Sequence, residues 1–114
     1  MITIYHNPRC QKSREGLAIV EASGKEFEIR KYLNDTLSEA ELKNLLLKLD
    51  IKPIQLVRKK EKIWKENFKD KDLSEKEIIQ ILSENPKLIE RPIVETENKA
   101  VIGRPPEVIE KLFT

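Results

Sequence analysis

A chain of 114 residues has room for one compact domain that buries somewhat more than about 60% of the surface its unfolded chain would expose. With 22 lysines and arginines against 20 aspartates and glutamates, the net charge is +2; this excludes a global electrostatic partner such as a DNA backbone or an acidic membrane and makes any strong positive field a local one. A single cysteine and a single histidine exclude an internal disulfide and a structural zinc site, so no metal is expected and a reducing, cytoplasmic setting is.

The opening MITIYH enters strand-like alternation at once, without the basic start, apolar stretch and small-residue cleavage site of a secretory signal. No apolar run approaches the ~20 residues that span a bilayer. Ile2, Ile4 and Tyr5 predict a short first strand, ended by the polar cluster His6, Asn7 and Pro8. A helix is expected from about Gln11 to Ser23, with Leu17, Ile19, Val20 and Ala22 on its buried side and Gly24 as the stop. In FEIRKYL, the even spacing of Phe27, Ile29 and Leu33 predicts a second strand facing a core, and Asn34 and Asp35 turn the chain. These pieces make a βαβ unit, whose crossover is right-handed and whose strands are parallel.

Ser38 with Glu41 forms a capping box, and Leu42, Leu45, Leu46 and Leu49 follow the helical i, i+3, i+4, i+7 pattern. Pro53 suits the first turn of a short helix through Val57. KEKIWKENFKDKDL reads as a half-exposed helix or turn pinned by Trp64 and Phe68. Ser74 and Glu77 repeat the capping box ahead of Ile78, Ile81 and Leu82, and Asn85 with Pro86 ends that helix. Ile93 and Val94, then Ala100, Val101 and Ile102, flank ETENK as an antiparallel hairpin. A last helix starts near Pro105 or Pro106 and carries Val108, Ile109, Leu112 and Phe113. The order βαβ, helices, ββα predicts an α/β protein with a mixed sheet, a thioredoxin-like fold in one domain over residues 1–114, with a helical insertion over about 36–85.

Chemistry concentrates in YHNPRCQKSR, where Cys10 stands among cations and no acidic residue occurs from Met1 to Arg14. A core cysteine usually sits in an apolar run, whereas this one follows a strand-ending Asn-Pro. A helix beginning just after Cys10 sets the sulfur at the positive end of its dipole, where Arg9, Lys12, Arg14 and His6 add to a field that favours the nucleophilic thiolate and Ser13 offers a hydroxyl. The same field attracts oxyanions. Cys10 and Ser13 give C-x-x-S in place of a C-x-x-C pair, so an intermediate on Cys10 needs an external thiol to resolve it. Outside this loop the arginines are Arg30, Arg58, Arg91 and Arg104. Repulsion between a thiolate and an oxyanion is about 4 kcal/mol at 4 Å and a dielectric near 20, and calls for more cations than the loop supplies.

HNPRC followed by Ser13 and Arg14, LVRK at 56–59, ERPIV at 90–94 and GRPPEVI at 103–109 together resemble the glutaredoxin-linked arsenate reductases, the ArsC-like family related to the Spx regulators, almost from end to end. The resemblance implies that Cys10 attacks arsenate, that His6 and Ser13 influence its thiol, and that Arg58, Arg91 and Arg104 bind the arsenic oxyanion, with Arg14 and Lys12 in support. It implies a cis peptide at Arg91-Pro92. It further implies glutathione as co-substrate and glutaredoxin as partner, no bound cofactor, no nucleic-acid or membrane partner, and a monomer. Two alternatives stay open: an Spx-like regulator that contacts RNA polymerase, and a glutathione-dependent thiol reductase of another substrate.

Overall fold

Alternating branched and polar side chains make Ile2–Tyr5 a strand, β1, which lies near the middle of a four-stranded mixed sheet. The computed structural model describes residues 1–113. They fall into two units, residues 1–35 with the segment from Arg91 onward, and residues 36–90. In the first unit the sheet order is β2-β1-β3-β4, with β2 at Phe27–Arg30, β3 at Ile93–Glu95 and β4 at Ala100–Ile102. β1 runs parallel to β2, with Ile4 opposite Ile29, and antiparallel to β3, which pairs antiparallel with β4. This is the mixed α/β, thioredoxin-like arrangement.

Helix α1, Gln11–Ala22, and a C-terminal 3₁₀ helix, Pro106–Phe113, cover one face of the sheet. Ile2, Ile4, Val20, Val94 and Ile109 form the core between them, with Leu17, Ile19, Phe27, Leu112 and Phe113 packed around it. Each such fully buried aliphatic side chain contributes about 1.5–3 kcal/mol. α1 ends at Ser23, and Gly24 takes the positive φ of +73° that a side chain resists.

Two expectations need correction here. The second strand stops at Arg30, and Ile29 is 45% exposed. β2 is an edge strand, so Ile29 has a neighbour on one side only, and Tyr32 in the following turn is buried where Leu33 was expected. On α1, Ala22 is exposed, while Ser13 and Gly16 are buried. The final helix starts at Pro106, as expected, and is 3₁₀ along its length.

The second unit is helical. Both capping boxes form: Ser38 Oγ accepts from Glu41 N–H at the start of α2, Glu39–Leu49, and Ser74 Oγ accepts from Glu77 N–H at the start of α4, Glu75–Glu84. α2 buries Leu42, Leu45 and Leu46; α4 buries Ile78, Ile79, Ile81 and Leu82. Between them run a 3₁₀ turn at Pro53–Leu56 and the short α3, Lys62–Asn67, anchored by buried Trp64, whose ring stands 5.7 Å from that of Phe68. Among the described residues, no helix is long and apolar enough to cross a membrane.

Candidate active site

β1 runs out at Tyr5, and the backbone of His6 still donates to the Arg30 carbonyl at 2.9 Å. The chain then turns: Asn7 Oδ1 accepts from Arg9 N–H (3.0 Å), and the Asn7 carbonyl accepts from Cys10 N–H (3.0 Å). Cys10 takes the N-cap position of α1 in an extended conformation (φ −98°, ψ 123°), and its side chain makes no capping bond. The sulfur therefore stands partly exposed at the positive end of a 12-residue helix.

The partner of that sulfur comes from the far end of the sequence. Arg104 Nη2 is 3.9 Å from Cys10 Sγ, and Arg104 Nε donates to the Arg91 carbonyl at 2.8 Å. The Arg91 guanidinium has two buried donors, Nε and Nη1, with no hydrogen-bond partner among the described residues. A buried unpaired donor costs about 1–3 kcal/mol, so this group is built to receive an acceptor. Arg91-Pro92 and Arg104-Pro105 are both cis.

Close packing fixes these pieces to α1. A Cβ placed on Gly16 would stand 2.7 Å from Pro92 Cγ and 3.0 Å from Ile109 Cδ1. One placed on Gly103 would stand 2.9 and 2.8 Å from the same two atoms. The Pro92 ring, one residue from Arg91, thus lies against two bare α-carbons, one on the nucleophile's helix and one beside Arg104. Neither glycine was singled out in the sequence. The available signal was Gly16 inside an otherwise amphipathic helix, a position that usually marks close approach.

His6 and Ser13 are both buried, at 4% and 0% exposure, and they engage each other rather than the sulfur. His6 Nδ1 and Ser13 Oγ are 2.6 Å apart, and Ser13 Oγ also accepts from Asn7 N–H at 2.9 Å. Burial chiefly, then the charges of Lys31 and Arg14, holds His6 below the ordinary imidazole range, and its bond to Ser13 opposes this. A neutral His6 accepting at Nδ1 from the Ser13 hydroxyl satisfies all three groups. With six residues between them, His6 and Ser13 close the loop that carries Cys10.

The supporting cations are also engaged locally. Arg14 Nη1 donates to the Pro8 carbonyl at 2.9 Å, and Lys12 Nζ lies 3.7 Å from the Glu15 carboxylate. Arg58 belongs to the helical unit. There its Nη1 is 2.7 Å from Glu61 Oε1, its Nε is 3.8 Å from Glu90 Oε1, and its N–H donates to the Leu88 carbonyl. Of the expected site, the structure brings Cys10, Arg91, Arg104 and Pro92 together in the sheet unit.

A thiol at a helix N-terminus with the Arg104 guanidinium beside it is an arrangement that can attack and hold a small tetrahedral oxyanion. Comparison with known proteins places the chain in a family. The ArsC family profile matches residues 5–112. The chain is similar to the protein YfgD of Escherichia coli (strain K12), described as uncharacterized, at 47% identity over 95% of this chain and 92% of that one. It is similar to a protein named arsenate reductase from Haemophilus influenzae, at 44% identity over 95% of each chain. The solved structure of an arsenate reductase from Vibrio cholerae superposes with a TM-score of 0.91 at 43% identity, covering 96% of this chain and 95% of that one.

Proposed function

The chain belongs to the ArsC family, and from that premise we propose that it is a thiol-dependent arsenate reductase, with Cys10 as nucleophile and glutathione and glutaredoxin as the external reductants. The observation that carries the reading is Arg104, which sets one donor against Cys10 Sγ and another on the carbonyl of Arg91, whose own buried donors lack an acceptor. An arsenate oxygen would satisfy them, and the planar arginine fork suits a tetrahedral oxyanion that gains negative charge as sulfur attacks.

The chemistry balances in four steps. Cys10 sulfur bonds to arsenic(V) and a water leaves. Glutathione then replaces a second oxygen, again as water. A glutaredoxin thiolate attacks the glutathione sulfur, the sulfur–arsenic electron pair stays on arsenic, and arsenic(V) becomes arsenic(III) as a glutaredoxin–glutathione disulfide forms. Hydrolysis of the remaining sulfur–arsenic bond releases arsenite and restores Cys10. An external thiol is required because Cys10 is the only cysteine of the chain.

The test is arsenate-dependent oxidation of NADPH coupled through glutathione, glutaredoxin and glutathione reductase. Turnover is expected, and Cys10→Ala abolishes it while leaving the circular-dichroism spectrum and melting curve in place. No rate above blank at millimolar arsenate would show that the substrate is another one.

A further inference from the structure

The helical unit holds a cavity of about 500 Å³ that plays no part in the reaction proposed above. Its apolar lining comprises half-buried Ile54 and Leu73 with buried Pro53, Trp64 and Ile78. The polar part carries five lysines, Lys52, Lys59, Lys65, Lys69 and Lys71, against two carboxylates, Asp72 and Glu75. Glu75 has a separate reason to be there, since it lies in the first turn of α4, where the helix dipole favours an anion.

An excess of three positive charges around one opening is larger than the +2 of the whole chain. Among the described residues none of the five ammonium groups has an ion-pair partner. Lys12 and Lys62, by contrast, each stand within salt-bridge distance of a glutamate on the same helix. Lysines scattered over a convex surface are solvated and screened within about 8 Å. Lysines gathered round a concave apolar floor instead focus their field into it.

We propose that this cavity binds a nucleoside phosphate, with the base on the apolar floor beside Trp64 and the phosphates among the lysines. The volume lies within the ~300–1,000 Å³ of small-molecule sites. Ile54 and Leu73, only half-buried, leave apolar surface that can take the flat face of a base. The rim's cations are all lysine, a compact charge on a flexible stem that adapts to phosphate oxygens without the fixed geometry of the arginine fork. The small net charge of the chain favours a single nucleotide over a polymer. The site is independent of Cys10 and of the arsenate reading.

Trp64 is the only tryptophan, so indole emission reports on this cavity alone. The full-length protein is titrated with ATP, ADP, inorganic phosphate and a short single-stranded oligonucleotide, by fluorescence and in parallel by calorimetry. Saturable binding is expected for ATP, weaker for ADP and weaker still for phosphate, with affinity falling as salt rises. Lys65→Glu with Lys69→Glu, two exposed positions, lowers ATP affinity at least tenfold while the melting curve and the reactivity of Cys10 stay unchanged. Absence of both a heat and an emission change with ATP overturns the proposal. So does equal affinity in the charge-reversed protein, inorganic phosphate binding as tightly as ATP, or the oligonucleotide binding more tightly than ATP.

Discussion

Gly16 offers the sharpest test of how the site is held together, because two physical effects predict opposite signs for Gly16→Ala. In the interior of α1 an alanine should stabilise by roughly 0.5–1 kcal/mol, since it restricts the unfolded chain. Against this, the new Cβ would stand 2.7 Å from Pro92 Cγ and 3.0 Å from Ile109 Cδ1, where carbon atoms prefer about 3.5–4.0 Å. One contact is with a closed ring and the other with a fully buried isoleucine, so neither can swing aside as a surface side chain would. Overpacking of this kind costs about 1–3 kcal/mol. The net expectation is a loss of about 1–2 kcal/mol, or about 4–8 °C in Tm for a chain of this size.

Urea unfolding followed by far-ultraviolet circular dichroism measures it. A catalytic effect should accompany the loss, because Pro92 adjoins Arg91 and the Arg91 carbonyl orients Arg104. Gly103→Ala presses on the same two atoms, so the double variant should lose less than the sum of the singles. A Gly16→Ala protein as stable as the parent, with turnover intact, would refute the claim that this packing sets the position of the arginines.

The remaining predictions concern the polar groups. Arg91→Lys should lower kcat/KM for arsenate by about 10²-fold, the usual effect of losing one oriented oxyanion donor, with Tm little changed because the lost donors have no protein partner. Ser13→Ala leaves His6 Nδ1 and the Asn7 N–H without their shared partner and should cost about 1–3 kcal/mol in urea unfolding. Because His6 in the folded protein is held below its ordinary value near 6.5, the unfolded chain binds that proton more readily. The stability it confers is therefore fully present above ~6.5 and declines as pH falls toward the folded value; His6→Gln should flatten this acid limb of the stability–pH curve, and an unchanged slope would exclude a neutral buried His6.

Features fixed by neighbours in sequence were legible from sequence. The two Ser-x-x-Glu capping boxes, the leucine pattern of α2 and the hairpin around ETENK each depend on residues a few positions apart, and each formed. The start of α1 directly after Cys10 was legible for the same reason. Edge placement of β2 was not, since Ile29 has the same local pattern whether or not another strand flanks it. Nor was the partnership of His6 with Ser13: spacing put both near the thiol, but only the turn at Asn7, which brings the two side chains to 2.6 Å, decides that they face each other. The sandwich of Pro92 between Gly16 and Gly103 spans 87 residues of sequence and leaves no local signature beyond a glycine inside a helix.

The unpaired donors of Arg91 and the saturated pair of His6 and Ser13 lie in the same small unit, and the contrast separates scaffold from chemistry. Where a buried polar group serves the fold, its partners are present: Ser13 serves Asn7 and His6 at once. Where two buried guanidinium donors are left open at a cost of about 1–3 kcal/mol each, the fold alone gives no reason to keep them, and the proposed oxyanion would. A donor held in place before the anion arrives needs no reorganisation when charge develops, which makes it more effective than one recruited by the ligand. Arg104 fits the same division, with its Nε committed to the Arg91 backbone and its Nη2 left to the sulfur. A change that spares the Arg91 carbonyl but removes its side chain should therefore lower turnover without lowering stability, whereas a change at Gly16 should lower both.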